Sequence, residues 1–423
     1  MLSLCFYNCS SIKNIAPNQN LLVKERFVLD GTPLKQELTK QLSVFPPNTK
    51  LLGIPARLHI YNLASENSDS LFDDWLIKDP KRRDRLTRIY SDKQVEQLRN
   101  YKNSFNFWLK KSGEPPSIFT QNNAINTSER LKQFYKNKGF FNTSVKTSVD
   151  TISPQKFKLT YNIFAGQAFT IAEKTKTIAS SDLDSIYSRN LNDSFIKENE
   201  VFEVENFNKE RERLVNLFRD NGIENFQQKS IRFKVYLDSL GKDFEIPVDI
   251  VIQNEAKRDQ NNIVEVPYVI QKVNEVKLYI ENPNKDFSIY TDTLKYNTLS
   301  ILSDGRLNYK PRALANGVFI KEGSPYSDQD RADTYRYFSD LRIFKYPNID
   351  FSQDPKDSLG LITSIYLTPR EPFSVGFDLD LSHSNIQFFG VSLGSSVINR
   401  NVFKGTETLE LGLKGTVGAS KDC

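Results

Sequence analysis

The chain has 423 residues, 38% of them hydrophobic and 26% charged, with a formal net charge of +5. That length exceeds one ordinary domain, so about three or four modest cores are expected, and the charge excess, small and scattered, makes no case for nucleic acid as a partner. No stretch approaches the roughly 18 apolar residues of a membrane helix, so any spanning segment must be β.

Three cysteines and two histidines exclude most metal and thiol chemistry. Cys5, Cys9 and Cys423 lie at the ends without a CxxC spacing, and His59 and His383 are single. No catalytic, metal or cofactor residue is expected. Residues 1–9 read like the tail of a lipoprotein signal that lacks its basic and apolar leader. Cys9 is the lipidation candidate, and the mature end is expected there.

Residues 18–30 carry a strand pattern through Leu22, Phe27, Val28 and Leu29. Pro33 then opens an expected helix over 34–43, with Leu34, Leu38 and Leu42 on one face. Residues 49–113 read as an insertion with an apolar piece at 58–63, a Ser/Asn/Asp linker at 65–74 and a helix at 92–111. Trp75 and Trp108 are its expected core anchors. Lys81, Arg82, Arg83 and Arg85, interrupted by Asp84, read as a solvated helix face.

From Gly113 onward an internal repeat takes priority. Gly113-Glu114-Pro115-Pro116 leads to a helix ending at Lys138-Gly139-Phe140-Phe141, then to strands at 144–151 and 156–164. A second copy runs from Ile196 through a helix ending at Asn221-Gly222-Ile223, with strands at 231–237 and 246–253. The third starts at Ile320 and runs through Gly323-Ser324-Pro325-Tyr326, its helix ends near 341–344, and strands follow at 347–352 and 361–368. A strand-then-helix segment precedes each copy, at 21–43, 168–193 and 269–303. The unit is therefore β-α-α-β-β, used three times. Gly139 and Gly222 suit the left-handed turn that ends a helix, and the third copy lacks such a glycine.

Beyond Pro372 the pattern has period two. Phe373, Val375, Phe377, Leu379 and Leu381 alternate with small or polar residues, and the alternation resumes after turns at 383–385 and 399–405. Segments of about ten residues with small and charged partners carry the signature of a transmembrane β-barrel; an antiparallel sheet on a soluble core is the other reading of the same pattern. Gly390-Val391-Ser392-Leu393-Gly394 matches G-x-S-x-G, but it lies inside an alternating strand and no histidine follows, so no hydrolase is expected.

Three such units placed directly before amphipathic strands resemble the BamA/TamA superfamily of outer-membrane assembly proteins. Its TamA-like lipoproteins of Bacteroidota are the most similar in Pro17-Asn18-Gln19-Asn20, Gly113-Glu114-Pro115-Pro116, Asn137-Lys138-Gly139-Phe140-Phe141, Gly323-Ser324-Pro325-Tyr326 and Asn399-Arg400-Asn401-Val402-Phe403. The resemblance implies an α+β chain of tandem POTRA-like (β-α-α-β-β) domains followed by the first strands of a transmembrane β-barrel. The expected boundaries are a signal remnant and linker at 1–19, units at 20–166, 167–258 and 264–370, and a barrel start at 372–423. A closed barrel needs about eight strands, so the chain is read as an N-terminal fragment.

The resemblance further implies residence in the bacterial outer membrane, with the N-terminal domains in the periplasm. Unfolded outer-membrane proteins are the expected clients, with outer-membrane lipid and an inner-membrane or periplasmic assembly partner. Clients are expected to pair with sheet edges by β-augmentation. The edge candidates are Val145, Thr147 and Val149 in the first unit, Ile231, Phe233 and Val235 in the second, and the counterpart strand near Ile349 in the third. Phe373, Val375, Phe377, Leu379 and Leu381 are the client-pairing candidates of the barrel seam. A two-partner-type secretion pore and a soluble periplasmic adaptor are the competing readings.

Overall fold

The computed structural model describes residues 11–35, 41–65, 76, 78–79, 81, 85–86, 88, 90–236, 244–259, 262–282, 289–382 and 387–420. Cys9, Trp75 and the turn at 383–385 lie outside the described residues. The chain divides into two compact units. One comprises Met1–Thr170, Asn199–Val204 and Leu240–Ile246, and the other Ile171–Glu198, Glu205–Ser239 and Pro247–Cys423.

In the first unit, β1 (Leu21–Leu29), β2 (Thr32–Pro33), β3 (Ser144–Ser153) and β4 (Lys156–Phe164) form a sheet in the order β2-β1-β4-β3. β1 runs parallel to β4, setting Leu22 against Phe157 and Phe27 against Tyr161. The expected helix does not begin at Pro33, which pairs with Val28 in a short hairpin. Asp30 and Gly31 both take positive φ, 46° and 85°, the backbone of a two-residue hairpin turn for which Asp-Gly is a strong signal. Residues 36–40 lie outside the described residues, and 41–42 form a turn.

The helices of this unit include α1 (Ala56–Leu63), α2 (Asp92–Ser112) and α3 (Gln121–Asn137). The Thr120 side chain caps α3 by accepting from Asn123 N. Ala124, Leu131 and Tyr135 on α3 close over Leu22, Phe27, Leu159, Tyr161 and Ile163 of the sheet. Trp108 is no core anchor: it is 53% exposed. The side of α2 that packs carries Leu109, which is buried, and Asn106, which exchanges hydrogen bonds with the Ser65 backbone at 2.7 and 2.8 Å.

The helix-ending glycine of the first copy is held on both counts. Gly139 has φ +87°, and a Cβ there would lie 2.5 Å from the Phe202 carbonyl oxygen. Its own carbonyl accepts from Phe169 N at 2.9 Å. Phe169 in turn sits at the centre of an aromatic cluster with Phe141 and Phe244, at centroid distances of 5.3 and 5.1 Å.

The second unit opens with β5 (Thr170–Ile178), α4 (Ser181–Arg189), α5 (Val204–Asp220), β6 (Ile231–Val235) and β7 (Glu245–Ile252), its sheet ordered β5-β7-β6. α5 buries Phe207, Leu214 and Phe218 at helical spacing, and Glu210 with them. That carboxylate accepts from Arg213 Nε and Nη2 at 2.9 and 2.7 Å, from Phe195 N at 2.9 Å and from the Ser194 hydroxyl at 3.1 Å. A buried charge is tolerated where hydrogen bonds saturate it in this way. A hairpin that the alternation did not reveal follows, β8 (Glu255–Asp259) with β9 (Asn262–Val266).

The last repeat has β10 (Lys272–Ile280), β11 (Asp292–Tyr296), β12 (Leu299–Ser303), α6 (Pro311–Ala315), α7 (Asp328–Asp340), β13 (Asn348–Asp354) and β14 (Asp357–Leu367). Its sheet order is β11-β12-β10-β14-β13. The helix expected within 269–303 is a β-hairpin instead. Leu299, Ile301 and Ser303 alternate inward, and Asn297 at φ +54° makes the tight turn. The helical step is reduced to α6, five residues that begin with Pro311. The missing glycine also has a substitute, since Arg342 adopts φ +56° just after α7.

Glu25 lies on β1, where the Tyr161 hydroxyl donates to it at 3.4 Å. Burial raises its carboxyl from 4.5 to about 7, against the opposing pull of that hydrogen bond. The folded state therefore holds the proton more tightly than the unfolded chain. Stability is full below about pH 4.5, falls as pH rises toward 7 and is flat above. Glu25→Gln should remove this slope and raise stability at pH 8 by on the order of 2–3 kcal/mol in urea unfolding.

The two helix ends make opposite predictions. Gly139→Ala should cost about 2–4 kcal/mol, because positive φ and the Phe202 carbonyl both oppose a side chain. Arg342→Gly should cost nothing and gain up to about 1 kcal/mol. Thermal unfolding of the two variants measures both.

Candidate functional site

The first strand of a unit pairs with its last, and the hairpin strand between them is left on the outside. β3, β6 and β13 accordingly end their sheets, each with one row of backbone N–H and C=O groups without a strand partner among the described residues. Such an edge is a template for another extended chain.

On β3, Val145 is half-buried against the core, whereas Thr147 and Val149 are exposed. On β6, Ile231 is 3% exposed. Phe233 packs edge-on to Phe207 at 5.2 Å, with the Arg211 guanidinium 5.0 Å from its ring. Val235 is half-buried. Phe233 is therefore committed to α5 and Ile231 to the interior, and what this edge chiefly offers a partner is its backbone.

β13 differs because a groove runs beside it. A cavity of about 570 Å³ opens between α7 and β13, lined by Ala332, Tyr335, Arg336, Pro347 and Ile349 among others. Thr334 and Phe338 mark the packed face of α7, and Tyr335, one position on, stays largely in water. Tyr335 and Arg336 were not singled out from the sequence. The signal available there was an aromatic residue one step off the buried stripe of a short helix.

The C-terminal strands β15 (Phe373–Ser382), β16 (Gln387–Arg400) and β17 (Thr408–Ser420) form an antiparallel sheet in that order. The register pairs Val375 with Val397, Leu379 with Leu393, and Val397 with Leu411. One face thus collects Phe373, Val375, Phe377, Leu379 and Leu381 with Leu393, Val397, Leu409, Leu411, Leu413 and Val417, all exposed and Phe377 to 82%. The other face carries Ser374, Gly376, Asp378 and Asp380 opposite Ser392, Gly394, Ser396, Gly412, Lys414 and Thr416. There the Ser392 and Thr416 hydroxyls lie 2.9 Å apart, and Lys414 Nζ meets Asp380 Oδ2 at 2.5 Å.

A sheet on a soluble core hides its apolar face and shows the polar one. Here the apolar face is uncovered on all three strands, Leu393 of the central one included, while the polar face is buried at Ser392 and exposed at Asp380 and Lys414. Strands of 10, 14 and 13 residues meet the roughly 9–11 that cross a bilayer at a tilt. The G-x-S-x-G pentapeptide is continuous strand, with Gly390 opposite Ser382 and Gly394 opposite Asp378. No helix of the described residues is long and apolar enough to cross a membrane.

The turn between β16 and β17 is tied to the repeat before it. Lys310 N donates to the Lys404 carbonyl at 2.7 Å, and the Asn401 side-chain amide to the Asn308 carbonyl at 2.8 Å. Asn401, Lys404 and Thr406 all hold positive φ. The Glu407 carboxylate fixes the turn by accepting from the backbone N–H groups of Phe403 and Gly405. On the neighbouring strand end, Arg400 Nη1 donates to the Glu371 carbonyl and the Ser374 hydroxyl, each at 3.0 Å.

Residues 87–166 match the POTRA family, described as surface antigen variable number repeat. That span leaves out β1, which only the fold brings to β4. No curated protein matches the chain. Among solved structures, BamA from Haemophilus ducreyi lacking POTRA domains 1–3 is similar at 13% identity and a TM-score of 0.34, over 59% of this chain and 37% of that one. BamA POTRA3–5 from Haemophilus influenzae is similar at 9% identity and a TM-score of 0.31, over 84% of this chain and 99% of that one. CdiB from Acinetobacter baumannii gives 11% and 0.28, over 60% and 39%. The chain thus spans well under half of the longer two, and likenesses this remote carry no weight of their own. The chain is built of POTRA-like mixed α/β domains with β-α-α-β-β units, followed by C-terminal strands consistent with the start of a β-barrel.

Proposed function

We propose that this chain assembles or translocates proteins at the bacterial outer membrane, with its POTRA-like domains in the periplasm and residues from Phe373 onward in the bilayer. The uncovered apolar face of the C-terminal sheet carries this reading, because lipid is the solvent that rewards exposed phenylalanine, valine and leucine. No bond is made or broken. The work is to move an unfolded client strand from water into hydrocarbon, where each unpaired backbone group costs several kcal/mol.

Clients engage first as an added strand on β13, with an apolar side chain seated in the groove beside Tyr335. β15 then offers its free edge as a template, the side chains of Phe373, Val375, Phe377, Leu379 and Leu381 facing lipid. The finer placement is among TamA-like lipoproteins of Bacteroidota, with Cys9 acylated and an inner-membrane or periplasmic assembly partner. It rests on the sequence resemblance alone.

Extended peptides taken from outer-membrane strands, with apolar residues at alternate positions, test the first step. Tyr335→Ala combined with Arg336→Glu should weaken their binding about tenfold, as loss of an aromatic anchor does. A photocrosslinker at Asp350 on β13 should capture the same peptides. Binding unchanged in the variant, with no crosslink at Asp350, removes β13 from the mechanism.

A further inference from the structure

The first unit bears a surface that neither β-augmentation nor the C-terminal strands use. Tyr101, Phe105 and Trp108 recur at i, i+4 and i+7 on α2, beside the side that packs on α1, and Leu98 extends the stripe by a turn. All four are exposed, and the Phe105 and Trp108 rings stack at 5.7 Å.

A second apolar projection stands near the C-terminal end of α2. Glu114, which follows the α2 C-cap Gly113, accepts from Thr49 N and Oγ1 at 3.1 and 2.5 Å and donates its own N–H to the Arg57 carbonyl at 3.0 Å. This holds the turn at 51–54 close by. At its tip Leu52 is 97% exposed with φ +50°. A leucine in the left-handed region with its side chain wholly in water gives the fold nothing in return.

The charge is concentrated in the same stretch. Residues 81–111 hold ten lysines and arginines against three acidic residues, an excess of seven where the entire chain has +5. The net charge is therefore not scattered, and the rest of the chain is slightly acidic. Lys110 and Lys111 close the helix directly after the aromatic stripe.

Aromatic and leucine side chains beside lysines are the composition of a helix that lies in a bilayer interface. Rings of Tyr and Trp settle at the headgroup level, and each lysine near an anionic leaflet adds about 1 kcal/mol. A protein groove must match two separate projections, a helix stripe and a single leucine tip, whereas a fluid surface accepts both. We infer that this face docks on an anionic phospholipid leaflet, with Leu52, Tyr101, Phe105 and Trp108 at the acyl boundary and Lys110 and Lys111 at the phosphates.

The chain has two tryptophans, so Trp75→Phe leaves Trp108 as the only reporter. The proposed function already places the C-terminal sheet in lipid, so vesicle binding alone is no test. On full-chain protein with phosphatidylcholine vesicles containing phosphatidylglycerol, Trp108 emission should shift to the blue and be quenched by brominated acyl chains. Without phosphatidylglycerol the quenching should largely vanish. Lys110→Gln and Lys111→Gln should each weaken the quenching titration about fivefold, and Leu52→Ser should weaken it with an unchanged circular dichroism spectrum. A vesicle-bound chain whose Trp108 stays wet and unquenched overturns the inference. A blue shift without bromine quenching does so too, and points to a protein contact instead. Both outcomes leave the β13 and β15 assignments untouched.

Discussion

The arrangement depends on one pairing, that of a unit's first strand with its last. β1 meets β4 in parallel across a chain separation of more than a hundred residues, and β10 meets β14 in the same sense. Parallel strands need a long crossover between them, and the helices that supply it bury their apolar faces on the sheet. Because the last strand has its inner side occupied by the first, the hairpin strand before it has only one neighbour. The exposed edges are therefore a product of the topology and need no special sequence to create them.

An unpaired edge means different things in the two solvents. In water the backbone groups of β3, β6 and β13 are hydrated, and a partner strand gains little beyond its side-chain contacts. The groove beside β13 offers such a contact at the exposed Tyr335, which sets this edge apart from the one at β6. In hydrocarbon, where the proposed function places β15 and β17, an open edge is costly. The turn at 401–407, held by Glu407 and hydrogen-bonded to Asn308 and Lys310, fastens one end of that sheet to the repeat in front of it.

Much of the fold was legible because the repeat encodes its punctuation locally. Gly139 and Gly222 ended helices where their backbones needed positive φ, and the strands after them alternated cleanly. The reading failed where local signals competed. Asp30-Gly31 asked for a hairpin while Pro33 and the leucines after it asked for a helix, and the described residues follow the hairpin. In 269–303 the period-two run of Leu299, Ile301 and Ser303 was outweighed by analogy with the other copies. The third copy also ends its helix on Arg342, which shows that tertiary packing can hold a non-glycine residue in the left-handed region. Trp108 was assigned to a core by residue type alone, and residue type does not reveal whether a partner surface exists.

The sequence by itself determined the faces of the C-terminal strands, the β-α-α-β-β order and the absence of an apolar run long enough for a membrane helix. Each of these is set by periodicity or chain length, which are local properties. Only the tertiary structure decided which face is covered, which strand is an edge and which edge has a groove. Those depend on what other elements occupy the space alongside. Alternation in β15 distinguishes Phe377 from Asp378, but it does not say whether Phe377 will find a core. The fold leaves it uncovered, because the hydrogen-bonded neighbours of β15 lie in its own plane and no helix among the described residues packs against that face.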